Sequence, residues 1–92
     1  MSLLGDQYVA ELFLFLLERE EVNTVDLKDI SSYYQGIMRK AEELNQLGFV
    51  EIEELTDPYL KRTFRLTSRG REVAEKLKEA ENLLHEEIKD KI

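Results

Sequence analysis

The chain of 92 residues has no cysteine and no tryptophan, one proline and one histidine. Without cysteine there is no disulfide, no thiolate zinc site, no cysteine redox sensor and no cysteine nucleophile. A zinc site needs three or four ligands that carboxylates alone rarely supply, so His85 reads as a surface residue on a charged helix. The four glycines stand singly, which leaves nothing resembling a phosphate-binding loop. No Ser, His and Asp share a spacing from which a triad could be argued, and the Glu-Glu pairs lie beside no candidate nucleophile. The expectation is a protein that is not an enzyme, with no catalytic residue, no metal and no cofactor. Long apolar runs are missing too. The run Val9 to Leu17 is nine residues and includes Glu11, where a bilayer span needs roughly 18. It also lacks the basic flank of a signal peptide. A cytoplasmic protein without a membrane partner is expected.

What is present is charge, and it is unevenly placed. Charged residues make up 36% of the chain, apolar residues 42%, and the net charge is -7. Nucleic-acid binders are usually basic, because neutralising phosphates drives their affinity. The total therefore counts against DNA, but the distribution softens it. Between Tyr59 and Arg71 lie Lys61, Arg62, Arg65, Arg69 and Arg71 with no acid among them, and the remainder carries all 20 negative charges. One basic stretch sits on an acidic body. The length suits one domain over residues 1–92 with a modest core, which a second subunit would help.

Periodicity divides that domain. Asp6 is placed to cap a first helix from Gln7 to about Glu20. Val9, Ala10 and Leu12 to Leu17 leave it almost no polar face, so it is expected to be buried on nearly all sides and to touch a second subunit. Polar residues Glu18 to Asn23 close it. Thr24 is placed to cap a short second helix with Leu27 and Ile30 on one face, broken by Ser31 and Ser32. Ser32 and Gln35 then have the spacing of a capping box. A third helix, about 33–47, carries Ile37, Ala41 and Leu44 inward with Met38 and Leu47 beside them, and Gly48 stops it. Two short helices joined by a tight turn form a helix-turn-helix pattern.

The period then changes to two. Val50 and Ile52 alternate with Glu51 and Glu53, Thr56 to Tyr59 is turn chemistry, and Leu60 to Thr67 is a second strand. Phe64 and Leu66 share its inner face, which leaves Glu51 and Glu53 on the solvent face with Lys61 and Arg65, able to pair across the hairpin. Thr67 or Ser68 caps a last helix running to near the C-terminus. Val73, Leu77, Ala80, Leu84 and Ile88 make an apolar seam along it. At about 1.5 Å per residue this helix approaches 40 Å, too long for the globule, so its far end must project or pack on something. Arg69 and Arg71 fall at its N-terminus, where the helix dipole does not favour cations. Phosphate contact is one reason for such a placement, and a solvated, self-neutralised wing is the plain alternative for the stretch as a whole.

The run Gln35-Gly36-Ile37-Met38-Arg39, then Leu44, then Leu47 to Val50, resembles the recognition helix and first wing strand of MarR/ArsR-type winged-helix regulators. Arg65 to Glu72 resembles the strand-to-helix junction that closes the wing in MarR- and PadR-like proteins. The resemblance covers roughly residues 24–77 and is more specific for fold than for target. It implies a mainly α fold with a small β-hairpin wing, a winged helix-turn-helix over 1–66 followed by a long dimerisation helix over 67–92. The form is similar to small archaeal winged-helix proteins that pair through a terminal coiled coil. By this resemblance the protein is a homodimeric transcriptional regulator bound to double-stranded DNA. Gln35, Gly36, Met38 and Arg39 would face the major groove, with Ser32, Tyr33, Tyr34 and Lys40 around them, one of the two tyrosines packing on the first helix. Arg39 can donate to guanine or to phosphate. Lys61 and Arg62, with Arg65 and Arg69, would track the backbone or minor groove over the wing, about 49–67. Leu12, Phe15, Leu16, Val73, Leu77, Ala80, Leu84 and Ile88 are the expected dimerisation residues. The ArsR metal ligands are not matched, and Glu42, Glu43, Glu51, Glu53 and Glu54 depart from a typical DNA reader. A winged-helix protein–protein interaction module that binds no DNA is the alternative, since fold does not determine function.

Overall fold

Helix α1 (Gln7–Arg19) carries Val9, Leu12, Phe13 and Leu16 on one stripe, and all four are buried. A computed structural model describes residues 7–32, 34–56 and 60–91 of the chain, without the side chains of Gln7 and residues 87–91. The expected cap Asp6, Tyr33, the turn residues Asp57, Pro58 and Tyr59, and the side chain of Ile88 lie outside the described residues. α1 ends at Glu20, which takes a left-handed φ of 66° and returns its N–H to the Leu16 carbonyl.

The segment after α1 is more ordered than its polarity suggests. Glu21–Asn23 is a strand, β1, antiparallel to β3 (Lys61–Leu66). β2 (Val50–Leu55) lies on the other side of β3, so the sheet has three strands in the order β1-β3-β2, not the two of a simple hairpin. The short second helix is a 3-10 turn, Val25–Asp29, and Thr24 makes no side-chain cap. Asn23 and Asp26 cap it reciprocally: the Asn23 N–H donates to Asp26 Oδ2 at 3.0 Å and the Asp26 N–H to Asn23 Oδ1 at 3.1 Å. Asn23 thus ends the strand and starts the turn with the same side chain.

α2 (Tyr34–Gln46) buries Ile37, Ala41 and Leu44 as the periodicity requires. Its end is a Schellman motif. Phe49 N–H donates to the Leu44 carbonyl and Gly48 N–H to that of Asn45, with Gly48 at φ +87°. The turn carries Leu47 outward, 49% exposed, rather than beside the inner stripe. α3 (Ser68–Lys91) begins at Thr67, whose Oγ1 accepts from the Gly70 N–H and donates to the Gly48 carbonyl.

One core gathers the stripes. The four α1 residues meet Val22, Phe64 and Val50 of the sheet, Leu27 of the 3-10 turn, the inner face of α2, and Ala74 of α3. Among the described residues no polar or charged residue is buried. The α3 face against the core is centred on Gly70, Ala74 and Leu77, with Val73 half-buried at its side. The small residues have a reason. A Cβ at position 70 would collide with the Phe49 carbonyl oxygen and lie 3.1 Å from Leu66 Cδ2, so glycine alone lets α3 start this close to the wing.

Candidate nucleic-acid interface

With Ile37, Ala41 and Leu44 turned inward, helical geometry leaves Gln35, Arg39, Glu42 and Gln46 as one exposed stripe along α2. Ser32 is exposed just before it, and Gly36, Met38 and Lys40 are half-buried on its flanks. Tyr34 is half-buried, with the Lys28 ammonium 5.1 Å from its ring centroid. Lys40 pairs with Glu43 at 3.5 Å. Among the described residues none of the ion pairs includes Arg39, so its guanidinium is open to an external acceptor.

The wing cations are differently placed. Antiparallel register sets Glu51 opposite Arg65, Glu53 opposite Thr63 and Glu54 opposite Arg62. The outer face is as the alternation requires, Glu51 and Glu53 with Lys61 and Arg65. Arg65 Nε donates to Glu51 at 2.8 Å and its Nη2 lies 3.8 Å from Glu53. The Glu51 hydrogen bond, and then the charge of the same carboxylate, raise the Arg65 pKa above its already high ordinary value. Arg62 points the other way. It donates from Nε to Glu54 at 2.9 Å and from Nη1 to Glu42 of α2 at 3.4 Å, so it joins the wing to the outer stripe of α2. Lys61 is exposed, between the exposed Leu60 and the partly covered Arg62.

At the start of α3 the Arg69 guanidinium lies 5.4 Å from the Phe49 ring centroid, and Arg71 is exposed. Phe49 is itself held edge-to-face by Phe13, at 6.1 Å between centroids. The basic stretch thus divides into Arg62 and Arg65, which are engaged by carboxylates, and Lys61, Arg69 and Arg71, for which no carboxylate pair occurs among the described residues.

Two features of this surface escaped sequence reasoning. Asn45 Nδ2 donates to the Val50 carbonyl at 2.8 Å and fixes the end of α2 to β2, a contact no local pattern marks. Glu42 meets Arg62 across 20 residues of chain, although its place on the outer stripe was readable. The expected pairing residues are dispersed. Leu12 and Leu16 are fully buried in the chain's own core and have no surface to offer a partner. Phe15, Val73 and Leu77 are half-buried against that core, Ala80 is exposed, and Leu84 is 64% exposed beside Leu83 at 63%. Among the described residues no helix is long and apolar enough to cross a membrane, and no group of three or more His, Asp or Glu could hold a metal ion.

A three-helix core with a helix-turn-helix, and a sheet whose β2–β3 hairpin forms the wing, is the winged helix-turn-helix fold. The same fold occurs in a transcriptional regulator homologue protein from Pyrococcus horikoshii OT3, with a TM-score of 0.75, 15% identity, and coverage of 92% of this chain and 86% of that one. A mutant of ZitR from Lactococcus lactis in its apo form is also similar, with a TM-score of 0.70, 14% identity, and coverage of 94% and 67%. At these identities the likeness is one of fold. No protein-family model matches the chain, and no curated protein matches it in sequence.

Proposed function

We propose that this protein is a DNA-binding transcriptional regulator acting as a homodimer, a single winged-helix domain with 67–92 as its pairing segment. The observation that carries the reading is the uncovered outer stripe of α2, with Arg39 exposed and free of any ion pair among the described residues. In a winged helix this is the face that enters a major groove. Its N-terminal half offers Gln35 and Arg39, both able to hydrogen-bond base edges. Lys61 and the α3 residues Arg69 and Arg71 supply backbone contacts, and fold similarity to a transcriptional regulator homologue supports the class.

Pairing would use what α1 and α3 leave uncovered. Half-buried Leu14, Phe15, Leu17 and Ile30 line a groove of about 590 Å³ beside Lys78 and Glu81 of α3. Ala80, Leu83 and Leu84 continue the apolar surface along α3. A second copy seated there would set two α2 helices toward successive grooves, about 34–36 Å apart.

The test is fluorescence anisotropy with a labelled random-sequence duplex across a salt series. Binding at low salt that weakens steeply as salt rises is expected, and no binding at tens of micromolar at low salt, together with no sequence enriched by selection from a random duplex pool, would overturn the reading. Once a preferred sequence is selected, Arg39→Ala should weaken it by roughly 1–3 kcal/mol; an unchanged affinity removes Arg39 from the site. The second reading, a protein-interaction module, draws on the engagement of Arg62 and Arg65 by carboxylates and on exposed Val25 and Leu60, 67% and 62%, which line one shallow concavity. Salt-insensitive partner binding with no duplex affinity would favour it.

A further inference from the structure

We propose that Glu42, Glu51, Glu53 and Glu54 form an electrostatic mask over the wing arginines, holding the non-specific DNA affinity of this surface down. The inference rests on the DNA-binding reading and names how that site is regulated. Two guanidiniums meet four carboxylates. Arg62 is engaged by Glu54 at 2.9 Å and Glu42 at 3.4 Å, and Arg65 by Glu51 at 2.8 Å and Glu53 at 3.8 Å. The charge balance around each arginine is negative, one cluster on each face of the wing.

The placement has no need in the core. All four glutamates are about half exposed, at 50–57% of their side-chain surface, and none bonds to a buried group. Glu42 stands on the reading stripe of α2 itself, and Arg62 spans from β3 to reach it. Exposed pairs of this kind are weak, so a phosphate can replace a carboxylate as acceptor at small cost. The displaced carboxylates stay beside that phosphate and repel it. Backbone contact alone is then poorly rewarded, and base contacts through α2 must carry the balance. The consequence is suppression of random-duplex binding, which phosphate contacts to an unmasked basic wing would otherwise drive.

The full chain and three paired variants are compared by anisotropy on a random-sequence duplex over a salt series. Glu42→Gln with Glu54→Gln removes both ion-pair partners of Arg62, and Glu51→Gln with Glu53→Gln removes those of Arg65, leaving only the more weakly acting Glu21 opposite it on β1. Glu79→Gln with Glu86→Gln makes the same charge change on exposed positions of α3, away from the wing, and sedimentation verifies that this pair self-associates as the wild type does. Each wing pair should bind roughly three- to tenfold tighter at low salt, with a salt slope steeper by about 0.9 for each arginine that gains a phosphate. The α3 pair should leave the slope unchanged. Adding Arg62→Gln should cancel the gain of the first pair. Circular dichroism and Tm verify that each variant is folded, and the two wing pairs test the inference independently. If wild type binds and the wing pairs match the α3 pair, the mask is overturned and the DNA reading stands. If neither wild type nor any variant binds duplex at low salt, the mask is overturned, and the DNA reading falls with it when selection also enriches no sequence.

Discussion

Gly70 and Gly48 do different physical work, and substitution separates them. At Gly48 a Cβ would meet nothing within 4 Å, so the cost of alanine is the left-handed backbone alone, about 1 kcal/mol. At Gly70 the Cβ would collide with the Phe49 carbonyl, which is backbone and cannot turn aside. Gly70→Ala should therefore cost about 3 kcal/mol, a fall in Tm of roughly 12–24 °C for a domain of this size. Thermal melts of both variants check the order. Equal losses would mean that α3 does not pack this closely on the wing. Gly48 was readable as a helix stop from its place after an apolar stripe. Gly70 was not, because it lies inside a helix and its neighbour Phe49 is distant in sequence.

At the scale of elements, β1 is the clearest departure from periodicity. Val22 between Glu21 and Asn23 is too short an alternation to mark a strand, and the segment reads as a polar closure of α1. Its pairing with Thr63, Phe64 and Arg65 makes it one, and Val22 enters the core at 2% exposure. Val22→Ala should cost about 1.5–3 kcal/mol as the loss of a buried side chain, whereas a loop residue would cost under about 0.5 kcal/mol. Urea denaturation distinguishes the two. α2, β2 and β3 needed no such help. Each is long enough for its period to show, and the hairpin register followed from putting Phe64 and Ile52 on one face. The α3 seam was half legible. Its apolar residues were visible, but which of them face α1 depends on Gly70 and Ala74, small residues that periodicity of hydrophobics passes over.

At the scale of the whole molecule, shape and charge both bear on assembly. The chain measures 53 × 25 × 25 Å, and α3 carries Leu83 and Leu84 outside the core. In a dimer paired through this helix, Leu83→Glu with Leu84→Glu should weaken self-association by about tenfold or more, roughly 1.4 kcal/mol. The fold of each copy should persist, since neither side chain is part of the core. Sedimentation velocity over a concentration series reads this directly. An unchanged dimer would move the pairing surface elsewhere, to the groove beside α1, and a monomer at every concentration would remove pairing from the reading.

Local pattern was enough for the helix-turn-helix, the wing and its register, because those follow from spacing along a few residues. The glycine stop at Gly48 and the threonine cap at Thr67 bounded their helices for the same reason. The meaning of the basic stretch was a tertiary matter. In sequence, Lys61 to Arg71 is five cations without an acid. In space, Arg65 pairs with two carboxylates of β2 and Arg62 with one from β2 and one from α2, while Arg39 on the neighbouring helix is left open. Charge is counted along the chain, but electrostatic interaction falls off with distance in space, and only folding sets those distances.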